Sequence, residues 1–488
     1  MNLFDRLVAW FSPAAGLARA QARLASALVT RNYDAASPSR RTNNWRKHRG
    51  DVNSITAVAG LELRTQARDL IRNNSWAKRG QRTIANNVVG WGVVPKSNSG
   101  DPSVDTAAMR LWKTWADTTE CDIDGRRTFY GLQQQIMKSV ASDGEVLIRR
   151  RRMPAADLLA VPLQLQVLEA DYLDTAKDEE ISRGKIVQGV EFDSRGRRAA
   201  YWLFPAHPGS GGDQKSVRIV ADDIVHIFDA ERPGQARGVS WFASAIVNLR
   251  DFDEFEDAEL MRQKIAACFA VFVEDADGAG TALGDTDSSD ETIESLEPGQ
   301  IQQLKPGQKV SFATPPGTTS DSFAGRQLRR VAAGLGVTYE DLTGDYSQVN
   351  FSSARLARIS HQGNVKDWQY NLLIPQFCTP AWRWFAAAAV LDKKLPIEPG
   401  VEWTVPPLPM IEPDKEGLAI ARLIRTGAMT FSGMVREQGG DPEAHWQEYA
   451  ADLARLDELK IRLDSDVRAV SQAGLTQERV GPAKKEET

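Results

Sequence analysis

RPGQARGVSWFASAIVNLRDFDEFEDAELMRQKIAACFAVFV, residues 232–273, governs every other assignment along the chain. Arg232, Pro233 and Gly234 supply a turn, and Ser240 is placed to cap a helix, because its hydroxyl can accept a bond from a free first-turn amide. No Pro or Gly follows Gly238 within the stretch, so the spacing predicts one helix over 239–267, about 40–45 Å long at 1.5 Å per residue. Phe242, Ala245, Leu249 and Phe252 form its apolar stripe. Asp251, Asp253, Glu254, Glu256, Asp257 and Glu259 then crowd most of its circumference with carboxylates, and only the Phe252/Phe255 edge stays apolar. Such a helix cannot lie deep in a dry core. It is either a solvated amphipathic helix or one packed sideways against copies of itself, with a wet acidic surface along an axis.

A chain of 488 residues has room for two to four domains. Its net charge of −5 is unlike that of a protein gripping nucleic acid over its whole surface. Cys121, Cys268 and Cys378 are too scattered for a disulfide framework or a zinc site, and fit a reducing setting. No run of about 18 apolar residues is present, so no membrane-spanning helix is expected. Many of the thirteen tryptophans are expected as packing anchors, since an indole buries much area and needs one acceptor.

Residues 1–50 read as an arm and linker with a basic cluster, Arg40, Arg41, Arg46, Lys47, His48 and Arg49: a solvated arm, or a contact to phosphate or a neighbouring subunit. Helices are predicted over 53–90, where Leu61, Leu63, Ala67, Leu70 and Ile71 give the stripe and Gly90 the cap, and near 104–117 and 128–142, the last between Thr128 and Gly144. EVLIRRRR, 145–152, reads as a strand ending in Arg149, Arg150, Arg151 and Arg152. A charged sheet edge or ion pairs with distant acids are the plainer readings, and DNA or subunit contact the functional one. Strands follow at 163–169, in a hairpin over 185–204 whose strands are KIVQGVEF and RAAYWLF with the turn at Asp193 to Gly196, and in 217–228, where His226 reads as a satisfied buried histidine. An acidic Gly/Ser/Asp-rich segment, 275–299, reads as an exposed loop, with short strands at 300–304 and 308–313 after it. A helix over 320–335 leads to a polar loop, Gly344, Asp345, Tyr346, Ser347, Gln348, Val349 and Asn350. Ser352 or Ser353 then opens a long helix to about 388, with a kink or break near Pro375 or Pro380. A strand at 401 and helices over 414–463 precede a polar tail expected to be disordered.

No catalytic constellation emerges. GSGGDQKS (209–216) lacks the Gly before Lys215 and the following helix that a phosphate loop needs, and the five histidines stand singly. The acids at 251–259 project outward from a helix and cannot wrap one cation. No metal, cofactor or catalytic residue is expected, and the chain leans toward assembly or binding.

Four stretches, ARDLIRNNSWAKRG (67–80), HIFDAERPGQARGVSWFASAIVNLRDFDEFEDAELMRQKIAA (226–267), LRRVAAGLGVTYEDLTGDYSQVNFSSAR (328–355) and PDKEGLAIARLIRTGAMTF (413–431), resemble the lambda-type portal proteins of tailed double-stranded DNA phages. The resemblance covers most of the chain and is loosest over the first fifty residues, the acidic insertion and the tail. It implies an α+β portal fold: an arm (1–50), a wing (51–235), a first stem helix (236–267), a clip (268–316) and a second stem helix (317–336). A tunnel loop with a long helix and the rest of the wing (337–412), a helical crown (413–464) and a tail (465–488) complete it. It further implies a non-enzymatic ring of twelve at one capsid vertex, conducting double-stranded DNA without sequence preference. The expected partners are the large terminase subunit, the head-tail connector, the major capsid protein and the scaffold, with no membrane. Asp253, Glu254, Asp257 and Glu259 are the expected channel lining, some instead pairing with arginines of the next subunit, because an anionic wall repels phosphate and lets DNA slide. Residues 344–350 become the tunnel loop, with Tyr346, Gln348 and Asn350 able to touch the backbone, and Glu297, Gln300, Gln302, Lys305 and Lys309 the docking face of the clip. The competing readings are a metal-dependent nuclease or packaging enzyme using the acids at 251–259, and a capsid scaffold without a pore.

Overall fold

Apolar residues at helical spacing from Val52 onward wind into α1 (Val52–Asn73) and α2 (Ser75–Val89), which a computed structural model of the protein shows separated by one extended residue, Asn74. The structure describes residues 21, 50–211, 215–267, 271–275, 285–286, 292–293, 308–312, 320–407, 410, 412–461 and 463. The basic cluster at 40–49, the tail beyond 463 and most of 268–316 lie outside them. The chain divides into two units, Met1–Ser54 and Ile55–Thr488. In the first, the Asp51 carboxylate accepts from the amide of Asn53. All that follows concerns the second.

After α2 come β1 (Val94–Asn98), α3 (Pro102–Ala116), α4 (Phe129–Asp143) and β2 (Glu145–Arg152). Then β3 (Leu163–Leu168), β4 (Glu179–Ile181), β5 (Gly184–Val187), β6 (Val190–Asp193), β7 (Arg198–Leu203), β8 (Val217–Val220) and β9 (Ile224–Phe228) build two antiparallel sheets, ordered β3-β2-β9 and β4-β5-β6-β7-β8. The long acidic helix is α5 (Ile246–Ala267). Strand β10 (Val271–Asp275), the short pair β11 (Asp285–Thr286) and β12 (Thr292–Ile293), and β13 (Gln308–Phe312) follow, β10 pairing with β13. The remainder is α6 (Ser320–Leu335), α7 (Tyr339–Thr343), α8 (Phe351–Asp367), a wide-turn π-helical stretch (Trp368–Cys378), α9 (Thr379–Leu391), β14 (Gly400–Thr404), which pairs with β1, and α10 (Pro413–Arg425), α11 (Phe431–Glu437) and α12 (Pro442–Glu458). The mixture of helices and separate sheets is α+β.

Aromatic residues fill the main core as expected. Trp112 meets Phe129 at 4.8 Å, Trp382 at 5.0 Å and Phe385 at 5.0 Å between ring centres, and all four are buried. Trp115 and Trp382 donate their indole N–H to the carbonyls of Leu163 and Pro399. Truncating such a side chain to Ala costs about 3–5 kcal/mol.

Several expectations are corrected. The acidic helix begins at Ile246 and not at 239, because turns occupy 241–245 and the amide of Trp241 is already spent on the carbonyl of Ala141. Ser240 still accepts from the amide of Phe242. KIVQGVEF is not one strand: Gln188 and Gly189 at φ 49° and 83° fold it into a tight hairpin of β5 and β6. Leu61 is exposed at 62 % and leaves the α1 stripe, whereas Ala67 and Leu70 are buried. Strand β2 is central and not an edge, although β9 flanks it only as far as Arg149. Asn350, and neither Ser352 nor Ser353, caps α8; its carboxamide oxygen accepts from the amide of Ser353, whose hydroxyl reciprocates. The long helix does not break at its prolines. The wide turn around Pro375 removes the clash its ring would make with a carbonyl four residues back.

Candidate nucleic-acid interface

The root of α5 is held by a buried charged hub. Glu145 opens β2 with no exposure at all. Its carboxylate accepts from Arg237 Nε at 2.8 Å and 3.0 Å, Arg64 Nη1 at 3.2 Å, His226 Nε2 at 2.9 Å and the amide of Gly238 at 2.8 Å. Burial pushes the Glu145 pKa up, but Arg237 and the His226 bond outweigh it and hold the carboxyl well below the usual range. Burial lowers the His226 pKa to about 4, so the imidazole is neutral and its link to Glu145 is a hydrogen bond and not an ion pair. Arg237 also donates to the carbonyls of Gln188 and Ala170, tying the hub to both sheets. Beside it, Gly144 sits at φ 85°, where a Cβ would stand 2.2 Å from the Val239 carbonyl carbon. The backbone entering α5 is therefore clamped to the junction of α4 and β2.

The turns at 241–245 bury Phe242 and Ala245, α5 buries Leu249 and Phe252, and Phe255 meets Phe323 of α6 at 4.7 Å. The neighbours sort its six acids. Asp253 accepts from Asn74 Nδ2 at 3.0 Å and Glu256 from Trp76 Nε1 at 3.3 Å, so both lean on the start of α2. Partial burial raises the Glu256 pKa, with Asp253 and Asp257 adding to it. Glu254 pairs with Arg250 at 3.2 Å. Hydrogen bonds from Arg262 and Gln263 lower the Glu259 pKa to about 2. Asp251 and Asp257 are exposed and have no partner among the described residues. The open face thus carries Asp251, Glu254 and Asp257, between Val247 and Met261.

The loop 344–350 is exposed except for Val349, with Tyr346 at 58 %. Bonds from Ser347 lower the Asp345 pKa, and the Val349 amide reaches the Tyr346 carbonyl at 3.2 Å, so the loop carries its own turn. Gly344 at φ 73° is pressed by the Arg79 guanidinium, whose Nε donates to the Asp341 carbonyl at 3.0 Å. The side chains of Tyr346 and Gln348 make no hydrogen bond among the described residues, whereas Asn350 Oδ1 is committed to capping α8.

Of the expected docking residues, Glu297, Gln300, Gln302 and Lys305 lie outside the described residues, and Lys309 sits in β13 opposite Glu274. Arg149 to Arg152 line a cleft of about 490 Å³ with Ile123, Met153, Pro154 and Asp223. Arg150 and Arg152 are partly neutralised by Asp223, the former through its Nε at 2.9 Å and the latter at 3.6 Å. The acids of α5 do not converge on a point. Among the described residues the carboxylates and histidine that do are Glu169, Asp171 and His207, and Arg68 already pairs with both acids there.

Glu145, Arg237 and Arg64 were not legible as a site. The signal lies in a carboxylate opening the apolar half of β2, Glu-Val-Leu-Ile, a placement that demands a buried counter-charge.

The described residues thus combine a buried charged hub, a helix with an open acidic face and an exposed polar loop. A family model described as "Phage portal protein, lambda family" matches residues 38–369. A probable portal protein of Halomonas phage phiHAP-1 is 30% identical over 468 residues, 89% of this chain and 88% of that one. Portal protein B of Escherichia phage lambda is 22% identical over 331 residues, 59% of this chain and 62% of that one. A chain in the neck of an empty GTA particle aligns over 81% of this chain and 96% of its own, with 16% identity and a TM-score of 0.46. The protein belongs to the lambda family of phage portal proteins. It is accordingly a structural component of the virion at the portal vertex, forming a ring through which double-stranded DNA passes, and not an enzyme.

Proposed function

We propose that twelve copies close the ring with α5 and α6 as its stem, so that the open face of α5 looks onto the channel. The observation that carries this is the sorting of the six acids: four have partners within the chain, while Asp251 and Asp257 stand free on one exposed face beside Glu254. An anionic wall within a Debye length of about 8 Å of the duplex repels phosphate, and DNA slides instead of sticking. The segment 268–316 docks the large terminase subunit and later the head-tail connector, the elements over 51–235 meet the major capsid protein and scaffold, and α10 to α12 form the crown. Tyr346 and Gln348 touch the DNA backbone from the loop.

The test reverses charge on the open face with Glu254→Lys and Asp257→Lys. Ring mass is read first; twelve chains of 53.8 kDa give about 650 kDa. Intact rings are expected to package DNA more slowly and to hold it at higher salt than wild type. Rings that package at the wild-type rate and release DNA at the same salt would show that this face does not line the channel.

A further inference from the structure

Arg149 and Arg151 form no close ion pair among the described residues; the Asp223 charge reaches Arg149 only at longer range. They alternate with Arg150 and Arg152 along β2 and so share the opposite face. Asp223 serves Arg150 and Arg152, but no hydrogen bond or ion pair reaches Arg149 or Arg151 among the described residues. Arg149 is half-buried, and burial together with Arg151 lowers its pKa. Two like charges held at strand spacing, about 6.5–7 Å apart, in a partly desolvated cleft call for an anion from outside.

Two features argue for a protein carboxylate over channel DNA. Glu145, at the other end of β2, is bonded to Gly238 at the root of α5. Four and six residues of strand separate it from Arg149 and Arg151, about 13 Å and 20 Å, so the two arginines stand apart from the stem root. The second feature is the five-stranded sheet. Asp223 follows three residues after the end of β8, placing the cleft by that edge. The opposite edge is β4, preceded and occupied by Asp178, Glu179 and Glu180, all exposed. Glu179 pairs with Lys177 at 3.7 Å, whereas Asp178 and Glu180 form no close ion pair among the described residues, although Lys185 stands opposite Glu180 in β5. They too are two residues apart. A ring of more than two copies has head-to-tail contacts, in which each subunit presents two different, complementary patches. Opposite edges of one sheet, about 19 Å apart across four strand spacings, supply such a pair.

We propose that Arg149 and Arg151 receive Asp178 and Glu180 of the adjacent copy, making the cleft an intersubunit site that is incomplete in one chain. The proposal rests on the ring assigned by family membership.

The experiment compares Arg149→Glu/Arg151→Glu, Asp178→Arg/Glu180→Arg and the four-fold combination in the full chain, by the fraction of ring in sedimentation over a NaCl series, with the monomer melting curve as a check on folding. Each pair alone should dissociate the ring at a salt concentration at least twofold below wild type, and the combination should restore it. A milder Arg149→Gln/Arg151→Gln chain covers the case in which the glutamates prevent folding. Rings of unchanged salt tolerance in either reversed pair, or a combination no better than its parts, overturn the pairing while leaving the portal assignment intact. Unchanged rings that lose DNA retention would assign the cleft to nucleic acid instead. A wild-type chain that never forms rings would count against the portal reading itself.

Discussion

Glu145→Gln is the most informative single change in this protein. The side chain keeps its shape, and its remaining oxygen can still accept from the amide of Gly238, now 2.8 Å away. What disappears is the negative charge facing Arg237, 3 % exposed, and Arg64, 6 % exposed. Arg64 retains Asp171 at 3.8 Å, so the main loss falls on Arg237. Removing one partner of a buried ion pair costs about 3–5 kcal/mol, because the other charge stays desolvated and unpaired. Against a total stability of about 5–15 kcal/mol, that is a large share. Urea denaturation of the monomer, followed by tryptophan fluorescence, reads the loss as a lower midpoint. The double change Glu145→Gln/Arg237→Met should recover part of it, since both charges are then gone. A single-mutant loss below about 1 kcal/mol, or a double mutant whose loss is the sum of the two single changes, would refute the hub as the clamp on α5.

Three further outcomes are expected. The His226 pKa falls from 6.5 to about 4 on folding, so on acidification the unfolded chain takes up the proton first. The stability that neutral His226 confers is complete above about pH 6.5 and is lost between there and about pH 4, by up to about 3 kcal/mol at 1.36 kcal/mol per unit; His226→Phe should flatten that part of a stability–pH curve. Gly144→Ala forces a Cβ into φ 85° and to within 2.2 Å of the Val239 backbone; the left-handed conformation alone costs about 1–2 kcal/mol, and a larger drop in melting temperature than for Gly100→Ala, which has a similar φ and open space, isolates the clash. Deleting 345–349 should leave rings of about 650 kDa while impairing packaging or DNA retention, and normal packaging by such rings would remove the loop from the DNA path.

Local patterning carried the helices, and long-range pairing did not announce itself. Thr128 and Gly144 bracket α4 because a hydroxyl cap and a left-handed glycine act within one turn of the chain. The start of α5 was misplaced by seven residues because what delays it is the Ala141 carbonyl, a hundred residues back, which takes the Trp241 amide. KIVQGVEF reads as one strand because alternation survives a tight hairpin, while the positive φ of Gln188 carries no compositional mark beyond the glycine after it. The sequence predicts a kink or break near Pro375 or Pro380 because proline removes a donor and clashes one turn back; widening that turn is the alternative a sequence does not reveal.

The site shows the same division with charge in place of shape. Six carboxylates in nine residues were visible as a band round one helix, and composition treated them as equivalent. The fold makes them unequal. Asn74 breaks the α1–α2 run and so brings its own side chain and Trp76 against Asp253 and Glu256. Arg250 and Arg262, one turn away along α5, answer Glu254 and Glu259. Exposed pairs of this kind contribute under about 1 kcal/mol each, so they position charge more than they hold the helix. The consequence is directional: on the side facing the protein Asp253 and Glu256 are held by the neutral donors Asn74 and Trp76, and on the side facing away Asp251 and Asp257 have no partner among the described residues. A helix rooted by a buried, fully paired carboxylate at Glu145 can present unpaired ones along its outer face, because its orientation does not depend on them.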